Sequence, residues 1–74
     1  MLVTIIYNTE FGAAAGSLKG VLLEEWSDVK INKMGINGAI NNAKYQIQLN
    51  GSVVYSGKTP VDNTTIINSI KERL

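Results

Sequence analysis

The 74 residues include no cysteine and no histidine. These two absences exclude disulfides, thiol nucleophiles, imidazole bases and the usual zinc ligands, which together account for most of the chemistry of small proteins. Charge of one sign is also missing. Seven basic and six acidic residues leave a net charge of +1, too small a field for a phosphate backbone, which argues against nucleic acid as a partner. No apolar run approaches the roughly 20 residues that span a bilayer, and no basic segment precedes the first apolar residues. The expectation is a cytoplasmic protein with no membrane partner.

What remains is a packed globule. The hydrophobic content is 45%, and a chain of this length is expected to form one domain over residues 1–74 that buries only roughly 60% of its unfolded surface. Leu2 to Tyr7 is apolar on both alternating faces except at Thr4 and rich in β-branched residues. That is the pattern of an interior strand covered on two sides. Asn8 and Thr9 follow as helix-capping types, and Glu10 suits the first turn of a helix dipole.

From Glu10 or Phe11 to Trp26, the apolar residues Phe11, Ala15, Leu18, Leu22 and Trp26 recur at spacings of three and four, so a helix buries that stripe. Gly12, Gly16 and Gly20 lie on the opposite side, near Leu23. Each interior glycine costs about 0.8–1 kcal/mol against alanine, and the row favours close contact with the second helix or with another chain over simple drift. Val29 to Met34 alternates as a half-buried strand, parallel to the first through the helical crossover. Gly35 to Asn42 reads as a loop, with a tight turn available at Asn37-Gly38.

Asn50-Gly51 marks a hairpin between Lys44–Leu49 and Ser52–Ser56. Tyr45, Ile47 and Leu49 point one way, and Lys44, Gln46 and Gln48 form a wet face. A second helix runs from Asn63 to Leu74, with Asp62 as its cap and Ile66, Ile67, Ile70 and Leu74 on its apolar stripe. The fold class is thus α/β (α+β), in the order β-α-β-β-β-α, with a four-stranded mixed sheet and two helices.

This order, with Val3-Thr4-Ile5-Ile6-Tyr7 as a first strand that breaks into a helix, is the minimal thioredoxin-like arrangement. The chain resembles the selenoprotein W-like (Rdx) family, whose first strand ends in a tyrosine followed by C-x-x-C or its selenocysteine form. Here Asn8 stands at the first cysteine position and Phe11 at the second, with Gly12 matching the glycine after the motif. Met34-Gly35 to Asn50-Gly51 and Val53 to Ser56 follow the family's spacing, so the resemblance spans nearly the whole chain.

Thiol-disulfide exchange needs an attacking thiolate, so this departure implies a redox-inactive module that is not an enzyme, with no catalytic residue, cofactor or metal. The resemblance implies a protein partner at the former redox turn, with Asn8, Thr9, Glu10, Phe11 and Gly12 beside Ile36, Asn37 and Ala39 of the following loop. Against this stand plainer roles: capping for Asn8, Thr9 and Glu10, a core contact for Phe11, and a flexible connector for the loop. The alternative is a small self-associating protein, a homodimer through Gly12, Gly16, Gly20 and Leu23. Glu24, Glu25 and Asp28 read as a solvated face. Lys30, Lys33, Lys44 and Lys58 with Tyr7, Tyr45 and Tyr55 are the one basic-aromatic set that could stack single-stranded nucleic acid.

Overall fold

A computed structural model describes residues 1–74. Strand β1 (Leu2–Asn8) passes through a short 3-10 turn (Thr9–Phe11) into helix α1 (Gly12–Glu25), followed by β2 (Lys30–Ile36), β3 (Tyr45–Leu49), β4 (Ser52–Gly57) and helix α2 (Asn63–Glu72). The four strands form one mixed sheet in the order β2-β1-β3-β4. β1 runs parallel to β2 and antiparallel to β3, and β3 is antiparallel to β4. The α+β architecture expected from the sequence is therefore present, with β1 in the interior of the sheet.

Both helices lie on one face. Ala15, Leu18 and Leu22 of α1 and Ile66, Ile67 and Ile70 of α2 share a single cluster with Val3, Ile5, Tyr45, Ile47 and Leu49 of the sheet. Between the helices, Asn63 Nδ2 donates to Ser17 Oγ at 3.0 Å and Lys71 Nζ pairs with Glu25 at 2.6 Å. Phe11 and Trp26, at the two ends of the α1 stripe, pack partly buried against the core, in line with their spacing.

The opposite face carries no helix, which corrects the expectation that β1 is covered on two sides. Ile6 and Thr4 are buried there because they are flanked in the sheet itself, Ile6 by Met34 and Gln46 and Thr4 by Asn32 and Gln48. An apolar strand at the centre of a narrow sheet thus loses water to its neighbours without a second layer. The wet face of β3 also needs correction: Gln46 is only 3% exposed. Its amide is satisfied sideways, with Gln48 Nε2 donating to Gln46 Oε1 at 2.8 Å and Gln46 Nε2 donating to Ser56 Oγ at 3.4 Å, as a buried amide requires.

Several boundaries move. β2 continues to Ile36 because Tyr7 and Asn8 offer parallel partners to Gly35 and Ile36, so the connecting loop starts at Asn37. Most of β2 is exposed, as befits an edge, with Ile31 its main contact to the core. The tight turn in the loop sits at Asn41-Asn42, not at Asn37-Gly38. Both asparagines have positive φ, 51° and 66°, and Ile40 and Ala43 exchange backbone hydrogen bonds of 2.8 and 2.9 Å around them.

The Asn50-Gly51 hairpin forms as read, with φ of 50° and 89°, the left-handed pair that a two-residue turn with matching twist demands. At the second helix, Asp62 is the capping residue but makes no side-chain cap bond. Leu74 lies beyond the helix end and is 70% exposed, so it drops out of the apolar stripe.

Candidate partner-binding site

The turn after β1 is built around the amide of Asn8. Its Oδ1 accepts from Glu10 N–H at 3.0 Å, capping the 3-10 turn, and its Nδ2 donates to Gly38 O at 3.0 Å. Thr9 Oγ1 reaches Asn37 Oδ1 at 3.4 Å, Asn8 N–H donates to Lys44 O at 2.8 Å, and Glu10 pairs with Lys44 Nζ at 3.1 Å. The structure therefore brings the turn and the loop together at one end of the sheet. One side chain, Asn8, bonds to both.

The individual residues divide in use. Asn8 uses both ends of its amide internally, whereas Thr9 and Glu10 are exposed and tie sideways to the loop, with Glu10 in the first turn as expected. Phe11 is half-buried, edge-on to Tyr45 with ring centroids 6.5 Å apart and planes at 88°, a favourable aromatic arrangement. Its role is a core contact, with only part of the ring at the surface. Ile36 is half-buried in β2, and Asn37, Gly38 and Ala39 are exposed. A Cβ on Gly12 would stand 4.0 Å from the Tyr7 ring, an ordinary contact.

No enclosed pocket is found here, and the site consists of backbone and short polar side chains at the surface. Among Asp and Glu side chains no group of three converges. Glu24 and Glu25 are exposed at the far end of α1, and Asp28 is exposed in the connection that follows.

Behind Phe11 sits Tyr45, fully buried with its hydroxyl lacking a hydrogen-bond partner. Burial first, and the neighbouring Tyr55 second, push its pKa up to about 12. Tyr55 stands 6.3 Å away at 63°, its own hydroxyl donating to Thr59 O at 2.6 Å. Of the basic-aromatic set, Tyr45 is inside the core and Tyr7 and Tyr55 are half-buried against it, so the three rings do not form one exposed row. No tyrosine stands on the open face of the sheet.

The glycine row is also resolved in part. A Cβ at Gly16 or Gly20 meets nothing within 4 Å, so neither faces the flank of α2. That corrects one of the two contacts the row was expected to make. Leu23 beside it is 44% exposed.

Two members of the site escaped the sequence. Lys44 and Gly38 contact the turn only because β3 pairs with β1 and because β2 is long enough to carry the loop past Asn8. Separations of 34 and 30 residues leave no local signal. In comparisons with family models and with curated proteins, nothing matches this chain.

Proposed function

We propose that the protein is a non-catalytic binding module, of thioredoxin-like and selenoprotein W-like type, that docks a protein partner through the Asn8–Gly12 turn and the Ile36–Ala39 segment. The observation that supports it is the pair of hydrogen bonds made by the Asn8 side chain, accepting from Glu10 N–H and donating to Gly38 O. It makes turn and loop a single surface whose geometry is set before any partner arrives, which lowers the ordering cost of association. In this reading Asn8 replaces a sulfur by a structural link, no thiol step exists, and the setting is cytoplasmic.

Substitution of Phe11 would disturb the core, so the test uses exposed positions. A photo-crosslinker at Ala39 should give a specific adduct with a protein partner that is lost on combining Glu10→Arg with Asn37→Arg, while a crosslinker at Lys19 gives none. Equal adducts at both positions, or insensitivity to the substitutions, would refute the surface. Thiol-disulfide turnover by the pure protein would refute the non-catalytic assignment.

A second reading, self-association through Gly16, Gly20 and Leu23, is supported by the open space over both glycines and the exposure of Leu23.

A further inference from the structure

The strands of this chain carry charge of one sign only. All six acidic residues lie on the helices, the 3-10 turn or the connections, and Lys30 and Lys33 are the only charged residues within any strand. Both are exposed, both belong to β2, and neither takes part in an ion pair, the pairs being Lys44 with Glu10 and Lys71 with Glu25. Lys33 Nζ stands 5.9 Å from the centre of the Tyr7 ring on the helical side. Three residues away, Lys30 projects to the open side, since strand side chains alternate.

The two edges of the sheet differ. β4 is interrupted by a register shift against β3 between Ile47 and Gln48, a bulge of the kind that blunts an edge. β2 has none: all seven of its residues pair in continuous register with β1, and no strand lies beyond it. Lys30 N–H donates inward to Met1 O at 2.9 Å. The backbone groups of a strand alternate in direction, so Ile31, Lys33 and Gly35 present their N–H and C=O outward.

From the free backbone of β2 and its two unpaired lysines, we infer that this edge accepts an extended acidic peptide segment of a protein partner as a fifth strand. The segment carries Asp or Glu at positions three residues apart, so that one carboxylate meets Lys30 on the open side and the other Lys33 on the helical side. Backbone pairing supplies the docking mode and the lysines the selection, as in other strand additions. The same lysines disfavour a second copy, since pairing β2 with itself gathers cations along one seam. Asp28, the nearest acid in sequence, lies before the strand begins. This surface is separate from the turn and loop proposed above and stands or falls without them.

The test is amide chemical-shift mapping of the whole chain with a capped hexapeptide bearing glutamates at positions two and five and threonine or valine elsewhere. Shifts confined to β2 and its partner strand are expected, with affinity falling about tenfold for Lys30→Glu/Lys33→Glu. That variant should in turn prefer the lysine version of the peptide. A peptide N-methylated at alternate residues should not bind. Overturning results are absence of binding at millimolar peptide, shifts centred elsewhere, equal binding of the N-methylated peptide, or concentration-dependent shifts of β2 without peptide, which would assign the edge to a second copy.

Discussion

Replacing Gly16 and Gly20 together by alanine should make the protein more stable, and the gain can be worked out from the structure. Both lie within α1, and a Cβ at either meets nothing within 4 Å, so the alanines introduce no clash and fill no cavity. What changes is helix propensity, about 0.8–1 kcal/mol for each site, largely through the lower entropy of the unfolded chain. The sum of roughly 2 kcal/mol is large against the few kcal/mol by which a domain of this size is held. It corresponds to a rise in melting temperature on the order of 10 °C. Urea denaturation read by the fluorescence of the single Trp26 measures the gain, and sedimentation of the same samples reads association. A stabilised protein of unchanged size refutes the glycine-face homodimer. A loss of stability, or none gained, refutes the argument that these positions are open, and a gain coupled to dissociation of a dimer assigns the row to a second copy.

Tyr45→Phe removes a buried hydroxyl that has no partner, so it should stabilise by about 1 kcal/mol, the lower end of the cost of leaving such a group unsatisfied. A loss of stability would mean that the hydroxyl is bonded. The same variant tests the pH dependence. The folded pKa of about 12 lies above the ordinary tyrosine value of 10.0, so the folded state holds this proton more tightly than the unfolded state. The associated stabilisation is present below pH 10 and is lost as pH rises through 12, up to about 3 kcal/mol in all. The wild type should therefore lose stability in that window faster than Tyr45→Phe, and parallel curves would contradict the burial argument. Gly57→Ala should cost about 1–3 kcal/mol: its Cβ would run into the Tyr55 hydroxyl and stand 2.9 Å from Cζ, and Tyr55 is anchored by its bond to Thr59 O. Recovery of stability in Gly57→Ala/Tyr55→Leu would locate the clash, and an unaffected single variant would deny it.

The sequence by itself determined the elements and their order, because the signals are local. Spacings of three and four from Phe11 to Trp26 wrote one buried helical stripe, and Asn50-Gly51 wrote a hairpin through its tolerance of positive φ. A helix between two strands then required a parallel crossover. It also showed Asn8 as a capping residue, although the structure uses it to cap the 3-10 turn ahead of the helix and leaves α1 with no side-chain cap. Only the tertiary structure decided what these elements cover.

The run of apolar residues in β1 predicted two layers, but burial of Thr4 and Ile6 arises from the strands on either side, a quantity that no single strand encodes. Gln46 reads as wet by alternation and is buried because Gln48 and Ser56 lie within reach. The glycines of α1 were visible as a row, yet whether anything faced them depended on where α2 came to rest. At the candidate site, Asn8 was legible and its partners Gly38 and Lys44 were not. Hydrogen bonds across some thirty residues exist only after β1, β2 and β3 have found their registers.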